Sequence, residues 1–126
     1  MDASAPDVAQ HKVVVVEDDV PLRESITDLL ELASCRVQGF GEAAPALRYL
    51  REDKDVCLVL LDLMTPGMNG WEFLDRKRED ASVSSVPVVV MTATVNPGVM
   101  VPLLRKPMKL DALLNTIERH CACPRE

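Results

Sequence analysis

Four places in the chain put a chemically capable side chain directly after an apolar run. Val13–Val16 leads into Glu17-Asp18-Asp19, and VCLVLL (residues 56–61) leads into Asp62. VPVVVM (residues 86–91) leads into Thr92, and VPLL (residues 101–104) leads into Arg105-Lys106-Pro107. A carboxylate at the exit of a buried strand costs several kcal/mol of desolvation unless something compensates it. Taken singly, Asp19 reads as a helix entry, Thr92 as a turn hydroxyl and Lys106 as a surface charge. Their coincidence at successive strand ends, with Asp62 among them, is what points to a site. Carboxylates crowded together repel, and a hard dication held by oxygens relieves them; Mg²⁺ needs only one or two protein carboxylates plus water. A carboxylate beside Mg²⁺, a hydroxyl and a lysine can handle a phosphoryl group. The carboxylate can itself be the nucleophile, giving an aspartyl phosphate.

Such a set converges only if the strands run side by side in one direction. The apolar runs predict strands over Lys12–Val16, Arg36–Phe40, Val56–Leu61, Val86–Met91 and Val99–Leu104. Helical spacing predicts a first helix from Pro21 with Leu22, Ile26, Leu29, Leu30 and Ala33 on one face. A second helix is expected over Glu42–Arg51, and a third over Asn69–Arg78 with Trp71 and Leu74 inward. The last carries Leu110, Leu113, Leu114, Ile117 and Cys121. Strands alternating with helices, several of them apolar on both faces, make an α/β fold: a parallel sheet wrapped by helices, with its ligand crevice at the carboxyl ends of the strands.

The 126 residues fit one domain, with residues 1–11 a loose lead and 122–126 a tail. Hydrophobic residues make up 48% of the chain and aromatics only 3%, so an aliphatic core is expected. A net charge of −6 argues against direct nucleic-acid binding, which needs a basic face. No apolar run is long enough to span a membrane and no signal-peptide core opens the chain, so the expected setting is cytoplasmic. Of the four cysteines, Cys57 reads as a small core residue, and disulfides are not expected in a reducing compartment. Cys121-x-Cys123 lacks the further ligands a zinc site needs.

VVVVEDD, LLDLMTPGMNG, VPVVVMTA and RKP together resemble the receiver domain of two-component response regulators, the chemotaxis-regulator-like proteins. The resemblance covers Lys12 to His120. It implies a flavodoxin-like five-stranded parallel sheet in the order 2-1-3-4-5. It also implies roles: Glu17 and Asp18 as Mg²⁺ ligands, Asp62 as phosphoacceptor and metal ligand, and the backbone carbonyl of Met64 as a further ligand. Thr92 would hydrogen-bond a phosphoryl oxygen, and Lys106 would pair with the acceptor carboxylate and then the phosphate. Pro66 and Gly70 would shape the loop after Asp62, and Lys106–Pro107 would be cis. The implied partners are a sensor histidine kinase and an unidentified downstream protein, with no direct nucleic acid and no membrane, the chain being a monomer or weak dimer. Its only catalysis would be of its own phosphorylation and dephosphorylation. Four features depart from the family pattern: the acidic pair begins with Glu17, a familiar variant, Thr65 replaces an apolar residue before the proline, Leu103 stands where a switch aromatic is usual, and the segment between Thr92 and Lys106 is short. If the fifth strand starts at Val99, Thr92–Gly98 must bridge parallel strands in seven residues. As a helix these would reach about 10 Å against a strand length of roughly 17 Å. Pro97 and Gly98 also oppose a helix. The family's helix between strands four and five is therefore expected to be absent or reduced to a loop, leaving Val88, Val90, Val101 and Leu103 partly in need of cover and moving output to another surface. Two alternatives differ in class. A phosphatase of the haloacid-dehalogenase type would need a general acid at Met64 and its acidic pair last in the chain. A pseudo-receiver binding module would not keep Asp62, Thr92 and Lys106 together.

Overall fold

In the computed structural model, which describes residues 10–94 and 97–121, five parallel strands form one sheet in the order β2-β1-β3-β4-β5. Along the chain run β1 (Lys12–Val16), α1 (Val20–Leu32), β2 (Arg36–Phe40), α2 (Ala43–Glu52) and β3 (Leu58–Asp62). There follow α3 (Gly70–Glu79), β4 (Val88–Thr92), β5 (Leu103–Arg105) and α4 (Leu110–His120). Successive residues of a strand face opposite sides, and the two sides are separate cores. Val14, Val16, Val59, Leu61, Val88 and Val90 pack under α2 and α3, around Leu47, Leu50 and Phe73. Val13, Val15, Leu58, Leu60, Val89 and Met91 pack under α1 and α4, around Ile26, Leu30, Leu113 and Ile117. Burial on both faces explains why β1, β3 and β4 read as unbroken apolar runs.

The helix starts follow from local chemistry. Asp19 caps α1, its carboxylate accepting from Leu22 N, and a proline sits in the first turn where no N–H is needed. Asn69 caps α3 by accepting from Glu72 N. The inner face of α3 differs from the expected one: Gly70, Phe73 and Lys77 are buried, whereas Trp71 is half-exposed and Leu74 only partly covered. A charged Lys77 in the buried row hid that face from apolar periodicity.

Two further expectations are corrected beyond β4. The fifth strand begins at Leu103, not Val99, because Pro102 has no N–H to give the ladder; its carbonyl accepts from Val90 N at 2.9 Å, and pairing starts at Val90 with Leu103. The connection therefore covers residues 93–102, and none of its described residues is helical. Instead of baring the sheet, it lays Val99 and Val101 against the core. Val88 and Val90 are buried, while Leu103 remains about half-exposed.

At the other end, the lead is in part tied down. His11 is buried and Gln10 N donates to Ser34 O, while residues 1–9 lie outside the described residues, as does the 122–126 tail. Cys57 is disulfide-bonded, contrary to expectation. The expectation rested on compartment chemistry, which does not say which sulfurs a fold brings together. Burial, with the neighbouring Cys121, pushes the Cys35 thiol up to about 11. Among the described residues no helix is long and apolar enough to cross a membrane.

Candidate functional site

The parallel register sets the geometry of the site. Val16 pairs with Leu61 and Asp62 with Met91, so Glu17 and Asp62 leave neighbouring strands at one level. Thr92 pairs with Arg105, and Lys106 N donates to Thr92 O at 2.9 Å, which carries the fourth and fifth strand ends to the same edge. All four runs singled out in the sequence thus empty into one crevice.

Within it, carboxylate oxygens of Glu17, Asp18 and Asp62 lie within 4.8 Å of one another. Glu17 and Asp62 are buried and Asp18 is exposed. Two negative charges about 4 Å apart repel by about 4 kcal/mol at an effective dielectric constant near 20. Part of that is offset by Lys106, whose ammonium is 2.8 Å from Glu17 Oε1 and 3.5 Å from Asp62 Oδ2. Burial and the neighbouring Asp62 push the Glu17 carboxyl up from its ordinary value, against the pull of Lys106. Burial drags the Lys106 ammonium down, but Glu17 and Asp62 together outweigh it and hold the group above the usual lysine value. Three oxygen donors with one cation is the donor set of a hard divalent ion, and the residues fit Mg²⁺.

The remaining contacts hold these groups in place. Met64 N donates to Asp62 Oδ1 at 3.1 Å. Thr92 Oγ1 accepts from Thr94 N at 2.9 Å, which leaves its hydroxyl hydrogen to donate elsewhere. Gly70 lies so close to the end of β3 that an added Cβ would stand 2.5 Å from Leu63 Cα and 3.1 Å from Asp62 O. The Lys106–Pro107 bond is cis, as expected.

A family model for the response regulator receiver domain matches residues 13–118. The chain belongs to this receiver-domain family. The receiver domain is 43% identical over 90 residues to the DNA-binding response regulator MtrA of Mycobacterium tuberculosis, a match covering 69% of this chain and 36% of the relative. It is 33% identical over 92 residues to the two-component response regulator ARR5 of Arabidopsis thaliana, covering 64% and 50%. The chain thus spans half or less of the length of these curated relatives. Among solved structures, the chemotaxis protein CheY4 of Vibrio cholerae superposes with a TM-score of 0.79 at 24% identity, over 89% of this chain and 99% of that one. The receiver domain of the sensor histidine kinase PA1611 of Pseudomonas aeruginosa, a structure with a magnesium ion coordinated in the active site cleft, superposes at 0.82 with 22% identity, over 89% and 98%.

Three residues of this receiver domain take supporting roles that the sequence did not suggest. Arg23 reaches from α1 to donate to the Glu17 carbonyl at 2.7 Å, packing across Gly39 and Gly41. Thr65, an apolar position in the family pattern, is buried with its hydroxyl donating to Met68 O at 2.8 Å, so it braces the loop after Asp62 from within. Trp71 donates its indole N–H to Pro97 O at 2.7 Å and ties the connection after Thr92 to α3. All three bonds end on backbone carbonyls, which leave no trace in a sequence.

Proposed function

We propose that this receiver domain accepts a phosphoryl group on Asp62 from a phosphohistidine of a sensor histidine kinase, and so switches the surface it offers to a downstream protein. The observation that carries the reading is the Asp62 carboxylate at the exit of a buried strand, beside two further carboxylates and the Lys106 ammonium. An Asp62 oxygen attacks phosphorus in line; the phosphorus–nitrogen bond breaks, and the imidazole leaves with its electron pair and takes up a proton. Glu17, Asp18, Asp62 and the backbone carbonyl of Met64 would hold Mg²⁺, which supplies neutralisation of charge on the phosphoryl oxygens. Thr92 donates its hydroxyl to a phosphoryl oxygen, and Lys106 exchanges its contact with the free carboxylate for one with the new phosphate. The domain performs no turnover beyond forming and losing its own acyl phosphate. The reading includes a cytoplasmic setting, a single receiver unit, and a monomer or weak dimer that touches neither nucleic acid nor membrane directly.

The test is a covalent adduct. Incubation with acetyl phosphate and Mg²⁺ should add one phosphoryl group by intact-mass measurement. EDTA or Asp62→Asn should abolish it, and beryllofluoride should perturb the resonances of Asp62, Thr92 and Lys106. An Asp62→Asn protein modified as fully as the native one would rule out Asp62 as acceptor.

A further inference from the structure

Beside α3, where the connection of residues 93–102 runs extended, the surface opens into a cleft of about 720 Å³. Its apolar lining includes Trp71 from α3, Val88 from β4, and Val99 and Val101 from the connection. Lys77 and Ser84 also line it, and here the chemistry is unusual. Lys77 is only 6% exposed, yet its ammonium makes one hydrogen bond among the described residues, to the neutral carbonyl of Ser84 at 3.1 Å. An ammonium has three donors, and a buried lysine is nearly always paired with an anion. Asp75, the one carboxylate residue lining the cleft among the described residues, is taken by Arg78 at 2.7 Å on the exposed side of the helix. Burial lowers the Lys77 pKa from its ordinary value, in keeping with a cation that has no carboxylate partner among the described residues.

We propose that this cleft binds a small amphipathic organic anion: an aromatic or alkyl body against Trp71, Val99 and Val101, with one carboxylate, sulfonate or phosphate completing the hydrogen bonding of Lys77. The volume is that of a small-molecule site, about 300–1,000 Å³, and its lining sets apolar side chains beside a few polar ones, Asp75, Lys77, Arg78 and His120, of which Asp75 and Arg78 pair with each other. The site is separate from the acidic crevice and does not depend on the phosphoacceptor reading.

Trp71 is the only tryptophan of the chain, so the cleft carries its own reporter. The full chain is titrated with 8-anilinonaphthalene-1-sulfonate and, in parallel, with N-phenyl-1-naphthylamine, the same ring system without the charge. The expected result is saturable 1:1 quenching of Trp71 with sensitised emission from the sulfonate probe. Lys77→Met should weaken the sulfonate by about ten- to a hundredfold, the value of a hydrogen bond to a charged group, and leave the neutral probe unchanged. Lys77→Arg, which keeps the charge, should retain the discrimination. Circular dichroism checks that each variant is folded. If Lys77→Met does not fold, the native chain decides: a preference for the sulfonate that weakens with added salt supports the proposal. Absence of energy transfer from Trp71, equal losses of both probes in Lys77→Met, or tighter binding of the neutral probe by the native chain would overturn it.

Discussion

Removing the Lys106 ammonium tests whether charge balance holds the acidic crevice together. Lys106→Met keeps most of the stem and leaves Glu17 and Asp62, both buried, without their cation. Breaking a buried ion pair from one side costs about 3–5 kcal/mol. Water reaches this one, since the Lys106 side chain is 21% exposed, so the discounted expectation is about 2–3 kcal/mol in EDTA at pH 7.5. With a urea slope of about 2 kcal/mol per molar, the midpoint should fall by about 1–1.5 M. The sign with pH follows from Glu17. Its native pKa is raised, so its contribution is fully present below the unfolded value of about 4.3 and is lost as pH rises through the native one. Without the lysine the native value rises further. The deficit should therefore be small near pH 4.5 and full by pH 7.5. Lys106 itself, with a raised pKa, keeps its contribution at all pH values below the usual lysine range and loses it only in alkali. Millimolar Mg²⁺ should restore part of the stability at pH 7.5 by replacing the lost positive charge. The measurement is urea unfolding followed by circular dichroism at both pH values, with and without Mg²⁺. Equal midpoint losses at pH 4.5 and 7.5 would mean that lost packing, not charge, causes the effect, and the electrostatic account would fail.

Gly70→Ala should cost about 1–3 kcal/mol and slow adduct formation with acetyl phosphate, because the new Cβ meets backbone at the exit of β3; an unchanged urea midpoint would refute the close approach. Asp19→Ala should lower stability by about 1 kcal/mol through loss of the α1 cap while the extent of phosphorylation stays as in the native chain. Reduced phosphorylation in a folded Asp19→Ala protein would instead put that residue among the metal ligands. Asp53 is held down to about 2 by the Lys12 ammonium and the Tyr49 hydroxyl, so its contribution is present above about pH 4 and lost as pH falls towards 2. Asp53→Asn should flatten the acid limb of the stability profile in that window, read as midpoints between pH 2 and 5.

The sequence alone determined the strand ends and most of what leaves them. Unbroken runs such as VVVV and LVLL can be buried on both faces only within a helix-wrapped parallel sheet, and that architecture sends Glu17, Asp62, Thr92 and Lys106 to one edge. The non-helical connection after β4 was legible too, since Pro97 and Gly98 oppose a helix, and none of its described residues is helical. The tertiary structure decided what depends on a partner far along the chain. Asp19 could have served as cap or ligand, and the packing of α1 made it the cap. Lys77, which apolar periodicity passes over, is turned inward by α3 beside Ser84. The cover over Val88 and Val90 comes from Val99 and Val101, which sequence placed in a strand rather than over one. Local propensity and periodicity act within a few residues, so they fix elements and their exits. Which face a long side chain takes, and which carbonyl ends its hydrogen bond, is settled only when distant elements compete for the same space.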